Sequence, residues 1–186
     1  MSAAPPTDSL LLHPLSDFYL TAGRPLPRHR AVSADEIPEP EQTLLVHDRD
    51  MTSTLEQFHG SLIHLEVVSL EIRGNRLHRQ VVLSLDTTGA AVEFGAIRVH
   101  LDRFAEPWRS EIVASRRPLG GILNASGQPY LSRPSAFLEV DADEFLCGAL
   151  RLPSPIRLYG RQNTLRTPAG LEIAEIIEIL PPGRRA

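Results

Sequence analysis

Three consecutive segments of this chain alternate apolar and polar residues with a period of two. They cover residues 62–72, 77–86 and 91–101 and are rich in Val, Ile and Leu. This period is typical of β-strands with one covered face and does not fit an α-helix. The breaks between the segments are short and contain the turn-forming sequences Arg73-Gly74-Asn75 and Thr87-Thr88-Gly89. Because short connections join antiparallel neighbours, the sequence predicts an antiparallel sheet at the centre of the fold.

Helices and a final hairpin are predicted around these strands. A helix is expected from Asp50, a good N-cap residue, to His59, with Gly60 as its stop. Two more strands, at 156–166 and 171–180, form the last hairpin. Further helical segments are predicted at 8–20, 110–115, 118–123 and 141–150. Strands in groups, with helices between the groups, favour the α+β class with an antiparallel sheet.

Composition excludes several classes of function. A length of 186 residues with 42% hydrophobic residues suits one domain with a sizeable core. The net charge of −4 and the absence of a basic stripe argue against a nucleic-acid partner. The single Cys147 excludes a disulfide framework, and the seven histidines lack metal-ligand spacing, so we expect no metal. No secretory signal or membrane-spanning run is recognisable, and we expect a cytoplasmic monomer without membrane insertion.

Two charged residues interrupt otherwise apolar strand faces. Arg79 shares its face of the second strand with three leucines and a valine, and Glu175 shares its face of the last strand with a leucine and three isoleucines. A buried charge without a partner costs several kcal/mol, so each must pair, change its protonation or meet a ligand. Either the two residues pair with each other or with local backbone, or they face a dry pocket that binds a carboxylate.

Four short segments between residues 44 and 182 occur in a recognisable order. From Leu44 the chain reads Leu-Leu-Val-His-Asp-Arg-Asp-Met-Thr, and from His78 it reads His-Arg-Gln-Val-Val-Leu-Ser-Leu-Asp. Arg-Pro-Leu-Gly-Gly follows from Arg117, and Leu-Tyr-Gly-Arg from Leu158 precedes the last strand and its Leu-Pro end. Together these segments resemble the chorismate lyase family, which converts chorismate to 4-hydroxybenzoate and pyruvate.

The resemblance implies a fold and a set of binding residues. It implies a single six-stranded antiparallel sheet with helices packed on one face, enclosing a pocket for the aromatic product. Arg79 falls on the family's arginine for the ring carboxylate, and Met51 and Leu119 fall on residues that close the pocket around that group. Gly95 falls on a glycine that a second arginine follows in the family, whereas Ala96 follows it here.

The catalytic carboxyl group of the family falls on one of two residues. Glu175 is the better candidate because it alone interrupts an apolar face, and Glu178 is the alternative. In this role a protonated carboxyl group, its pKa raised by aliphatic neighbours, would donate a hydrogen bond to the departing ether oxygen. The reaction makes the ring aromatic and requires no cofactor.

These observations predict a carbon–oxygen lyase acting on chorismate, with a small aromatic or enolpyruvyl carboxylate as its partner. Because Ala96 replaces the second arginine, two alternatives stay open. The chain is a non-catalytic domain of the same fold that binds a small acid or another effector, or it acts on another aromatic or enolpyruvyl acid. The lyase-like domain is expected at 42–182, preceded by a tail, a short helix and a Pro-rich connector at 1–41.

Overall fold

A computed structural model describes residues 10–183, and the sheet in this part of the chain has seven antiparallel strands. The predicted tail at 1–6 and the start of the predicted helix at 8–20 lie outside the described residues. The strand order across the sheet is β1-β5-β6-β7-β4-β3-β2. The strands are β1 (His29–Val32), β2 (Ile63–Arg73), β3 (Arg76–Leu85), β4 (Ala91–His100), β5 (Leu131–Asp141), β6 (Arg157–Arg166) and β7 (Glu172–Leu180).

Six α-helices lie wholly within the described residues, the first before β1 and the other five between strands. They are α1 (Leu15–Thr21), α2 (Glu41–Leu45), α3 (Met51–His59), α4 (Trp108–Ala114), α5 (Leu119–Ser126) and α6 (Glu144–Ala149). The helix predicted at Asp50 is confirmed as α3, because the Asp50 carboxylate accepts a hydrogen bond from the Ser53 amide at 2.9 Å. Gly60 ends α3 in the left-handed conformation, at φ 63°. None of the helices described is long and apolar enough to cross a membrane.

The expectation of six strands is wrong by one, and β1 and β5 were not recognised in the sequence. β1 has only four residues and lies at one edge of the sheet. β5 contains Pro134, and its register against β6 shifts between Pro134 and Ala136. β1 is too short to show the period of two. In β5, the proline removes a hydrogen-bond donor and the bulge breaks the period, so this strand does not carry the usual pattern either.

Helices cover both faces of the sheet, which corrects the expectation of one covered face. The reverse face, which carries Phe94 and Ile177, packs against α1 and α6. The cavity face, which carries Val81 and Ile97, lies under α2, α3, α4 and α5. The reason is visible in β4, where residues 92–97 are all buried and therefore need cover on both sides.

The segment before residue 42 packs on the same sheet. The Tyr19 hydroxyl donates a hydrogen bond to the Asp143 carboxylate at 2.9 Å. The Gln162 side-chain amide donates to the carbonyl groups of Leu10 and His13 at 2.9 and 3.0 Å. These contacts attach the start of the described chain to α6 and β6.

Candidate ligand-binding site

The strand register builds the floor of a cavity. It places Val81, Gly95, Glu178 and Arg161 side by side in one row across β3, β4, β7 and β6. Members of such a row project from the same face of a sheet. A Cβ atom on Gly95 would lie 3.2 Å from Val81 Cγ2 and 3.3 Å from Glu93 Oε1. The missing side chain of Gly95 therefore leaves the space over this row.

Two charged residues lie on either side of the Gly95 row. Arg79 pairs with Ile97 in the preceding row, and Glu93 pairs with Leu83 in the following row. Since Glu93 and Ile97 are four residues apart in β4, the Arg79 and Glu93 rows are about 13 Å apart at the backbone. Both side chains line the cavity, one at each end.

The starts of two helices form the roof. Met51 is the first residue of α3 and Leu119 the first residue of α5, and both line the cavity. A Cβ atom on Gly120 would lie 3.2 Å from Asp50 Cβ, so the two helix starts pack closely against each other. The N-cap residue of α5, Pro118, gives no side-chain hydrogen bond to the first amides of that helix. Helix N-termini carry positive partial charge and free N–H donors, which favours an anion below them.

The cavity is small and largely apolar. Its volume is about 70 Å³, compared with about 150 Å³ for an apolar cavity that accepts benzene. The apolar part of the lining consists of Met51, Leu65, Val81, Leu83, Ile97, Pro118, Leu119, Leu165 and Ile176. Such a wall suits the hydrocarbon part of a small ligand.

Arg79 is buried without a charged partner. The residue is only 2% exposed. Its Nη2 lies 3.4 Å from the carbonyl oxygen of Arg117, and its Nε and Nη1 have no hydrogen-bond partner. No carboxylate between residues 10 and 183 forms an ion pair with it. Burial lowers the pKa of Arg79 to about 10, so the guanidinium stays charged at neutral pH.

Arg161, in contrast, has a full set of partners. It is completely buried and forms an ion pair with Glu178. It also donates hydrogen bonds to the carbonyl oxygens of Leu45 at 3.2 Å and His47 at 2.9 Å. The Glu178 charge is therefore compensated inside the protein, and the guanidinium attaches β6 to the end of α2.

Glu93 is a second buried group without a partner. It is 5% exposed, and its Oε2 has no hydrogen-bond partner. Burial, and then the negative charge of Glu178, raise the pKa of Glu93 well above its ordinary value, against the opposing charge of Arg161. This direction favours the protonated, neutral form of the Glu93 carboxyl group. In the Arg79 row, Asn163 on β6 donates to Ser132 Oγ at 3.0 Å, while its Oδ1 is unpartnered.

Most of the residues expected to form the site line one cavity. Arg79, Met51, Leu119, Gly95 and the alternative carboxylate Glu178 all border it.

Glu175 does not face the cavity, and the expectation that it does is wrong. It lies on the reverse face, opposite Arg98 in the register, and forms an ion pair with that residue. His13 Nε2 lies 3.5 Å from its other oxygen. Burial raises the pKa of Glu175, but the hydrogen bond to His13 and the charge of Arg98 outweigh this effect and lower the pKa to about 2. The error arises because helices cover both faces, so an apolar face does not identify the cavity side.

Glu93 and Arg161 were missed by the sequence analysis. Arg79 on β3 and Glu175 on β7 stand out in the sequence because each interrupts an apolar strand face. On β4, Glu93 is likewise the only charged residue on the face that carries Gly95, Ile97 and Val99. The same pattern therefore indicates Glu93.

One group of possible metal ligands lies away from the cavity. The ligand atoms of His100, Glu172 and Glu175 are all within 4.8 Å of one another. However, Glu175 already forms an ion pair with Arg98, and a guanidinium at this position disfavours a cation. The absence of a metal from the function stays a prediction.

Comparisons with known proteins show the fold. No protein-family model matches the sequence. No curated protein matches it either. The structure is similar to that of PhnF from Mycobacterium smegmatis, with 12% identity, a TM-score of 0.57 and coverage of 76% of this chain and 67% of PhnF. The separate effector domain of PhnF gives 12% identity and a TM-score of 0.58, and 94% of that domain is covered by 76% of this chain.

A third solved structure leads to the same fold. It is described as the possible transcriptional regulator YydK from Bacillus subtilis, with 9% identity and a TM-score of 0.52. The match covers 67% of this chain and 60% of YydK. The chain thus spans about two thirds of the length of these regulators but nearly the whole PhnF effector domain. The comparisons show a shared fold, which covers nearly the whole of the PhnF effector domain.

Proposed function

We propose that this chain binds a small organic carboxylate in the cavity between the sheet and the starts of α3 and α5. The observation that carries this proposal is Arg79, a buried guanidinium with two unpartnered nitrogen atoms at the wall of the cavity. A planar carboxylate fits one edge of a guanidinium, either Nε with Nη2 or Nη1 with Nη2, and would give Arg79 the charged partner that it lacks.

The charges around the cavity require one anionic group. Arg161 and Glu178 form an ion pair, and burial and the charge of Glu178 disfavour a negative charge on Glu93. Arg79 therefore contributes an uncompensated positive charge, and the amides at the start of α5 add to it. Asp50 also borders the cavity, but its carboxylate is used as the cap of α3. A monoanion with its charge at Arg79 fits this arrangement best.

The size of the cavity favours a slender acid. The cavity volume is about 70 Å³, about half that of an apolar cavity that accepts benzene. The smallest carboxylates fit directly. A five-carbon acid such as pentanoate is about as large as a benzene ring, so five-carbon acids and aromatic acids would both require α3 and α5 to move outward by a small amount at their starts.

The similarity to effector domains supports binding without catalysis. The PhnF effector domain shares the fold over nearly its whole length. In such a domain the ligand is a signal, and no residue needs to act on it chemically. We therefore favour a small-acid sensor module over an enzyme.

Chorismate lyase activity is the second candidate, and one observation favours it. Glu178 lines the same cavity as Arg79, Met51 and Leu119, as the resemblance to the chorismate lyases implies. Against this activity, the Glu178 carboxylate is already engaged by the Arg161 guanidinium and is not free to act on a ligand. Ala96 is fully buried on β4 and supplies no second guanidinium.

Isothermal titration calorimetry tests the binding proposal. The probes are pentanoate, 4-oxopentanoate, benzoate and 4-hydroxybenzoate, added to the wild-type chain and to Arg79→Met. We expect Arg79→Met to weaken binding at least about 30-fold, equivalent to the ~2 kcal/mol of charge-assisted hydrogen bonds. Arg109→Met, which removes an exposed arginine, is the matched control and should bind as the wild type does. Equal affinities in wild type and Arg79→Met would reject the proposal.

A product assay separates the two candidates. The chain is incubated with chorismate, and 4-hydroxybenzoate and pyruvate are measured together. Binding of carboxylates without product supports the sensor module. Equal amounts of both products, lost in Glu178→Gln, would instead establish the lyase.

A further inference from the structure

We propose that Glu93 recognises a second, uncharged oxygen of the bound acid, at the end of the cavity opposite the carboxylate held by Arg79. This inference rests on the proposed function and makes it more specific. It assigns the ligand to the carboxylic acids that carry a distant hydroxyl, ketone or ether oxygen.

The first support is the position of the Glu93 side chain. It is 5% exposed and points over Gly95, where its Oε1 would lie 3.3 Å from a Cβ atom. Its Oε2 is buried and has no hydrogen-bond partner in the described part of the chain. Leaving such a group unsatisfied costs about 1–3 kcal/mol, so a ligand oxygen that hydrogen-bonds to it would be favoured.

The second support is the spacing of the two unpartnered groups. Arg79 and Glu93 flank the Gly95 row on opposite sides, and their rows are about 13 Å apart at the backbone. The Glu93 side chain extends over Gly95 into this span, and Arg79 lines the same cavity from the other row. A ligand that contacts both groups therefore carries its carboxylate and its second oxygen at opposite ends of the molecule.

The third support is the charge at the Glu93 end. Glu178 lies on the neighbouring strand, beside Gly95, and its negative charge is one reason that the pKa of Glu93 is raised. As a neutral acid, Glu93 donates its O–H to an acceptor and can also accept from a hydroxyl group. A second anionic group here would meet no free cation, because Arg161 is already occupied by Glu178. The site therefore distinguishes a monoacid with a neutral oxygen from a diacid.

Matched ligand pairs test this inference by calorimetry. The pairs are pentanoate with 4-oxopentanoate and benzoate with 4-hydroxybenzoate, and terephthalate is the diacid. We expect the wild-type chain to prefer the oxygen-bearing member of at least one pair by about 10-fold, corresponding to one hydrogen bond of ~1.4 kcal/mol. Terephthalate should bind more weakly than benzoate.

Two variants of Glu93 identify the group responsible. Glu93→Gln keeps a neutral donor and acceptor of the same shape and should retain the preference within about threefold. Glu93→Met fills the same space without polar atoms and should abolish the preference while binding pentanoate or benzoate at least as well as the wild type. A preference that persists unchanged in Glu93→Met would overturn the inference.

A pH series provides a second readout that does not depend on the Met variant folding. Ionisation of Glu93 at high pH should reduce the preference in the wild type but not in Glu93→Gln. Identical pH dependence in the two proteins would also overturn the inference. These results leave the Arg79 proposal intact if binding still depends on Arg79, whereas loss of that dependence rejects both.

Discussion

Replacing Arg79 with methionine should stabilise the ligand-free protein. Met has a similar length and no charge, and the substitution removes a guanidinium that is 2% exposed and not paired with a carboxylate. Burial lowers the pKa of Arg79 from 12.5 to about 10, which corresponds to a free-energy cost of about 3 kcal/mol for keeping the charged form folded. We expect the free energy of unfolding to rise by part of this amount, ~1–3 kcal/mol, because the cavity also allows some relaxation.

Urea unfolding followed by circular dichroism measures this change. The comparison is made without added carboxylate and then at a concentration of about 100 times the dissociation constant, where a bound ligand adds about 2.7 kcal/mol to the wild type. The ligand should therefore narrow or reverse the stability difference, since the variant gains little from it. A ligand-free Arg79→Met that is less stable than the wild type by 1 kcal/mol or more would refute the reasoning, because it would show that Arg79 already has good partners inside the protein.

Three other substitutions probe neighbouring parts of the structure. Arg161→Met should lower the free energy of unfolding by about 3–5 kcal/mol in the same urea assay, because it leaves the buried Glu178 without its partner; unchanged stability would contradict this role. Gly95→Ala places a Cβ atom 3.2 Å from Val81, so calorimetry should show lost carboxylate binding at a folding cost of about 1 kcal/mol, and retained binding would mean that the ligand lies elsewhere. Hydrogen bonds to Asp17 and Glu175 raise the pKa of His13 to about 9, so its stabilisation is complete below pH 6.5, the ordinary value for histidine, and is lost as the pH rises towards 9. His13→Gln should flatten the pH dependence of unfolding in that window by about 1–2 kcal/mol, and parallel curves would contradict the ion pair.

The parts of the fold that could be predicted are those with local signals. The three alternating segments, the final hairpin and the capped helix α3 each depend on residues close together in the chain. β1 and β5 could not be found in this way, because a four-residue edge strand and a strand bent at Pro134 are stabilised by their neighbours in the sheet. Cover on both faces is likewise a tertiary property.

The site illustrates the same limit. Arg79 was identified because it is the only charged residue on an apolar strand face. In the structure, its Nε and Nη1 have no hydrogen-bond partner within the protein. The same reasoning failed for Glu175, because its partner Arg98 is opposite it on β4, far away in sequence. Whether a lone charge is paired depends on which strands are neighbours, and the alternation along one strand does not contain that information. Glu178 shares its strand face with polar and apolar residues, so the sequence pattern does not predict that it is buried. In the structure, it forms a buried ion pair with Arg161.

The monomeric state expected from the sequence stays a prediction. β2 is the other edge of the sheet, and four of its apolar residues are exposed: Val67, Val68, Leu70 and Ile72. Light scattering during gel filtration would determine the oligomeric state directly.

A crystal structure of the wild-type chain grown with 4-oxopentanoate tests the central claim most directly. We expect the carboxylate of this acid at hydrogen-bond distance from Nε or Nη1 of Arg79, inside the cavity over Gly95. A structure in which both nitrogen atoms instead bind protein groups, while the acid is absent from the cavity, would contradict the account.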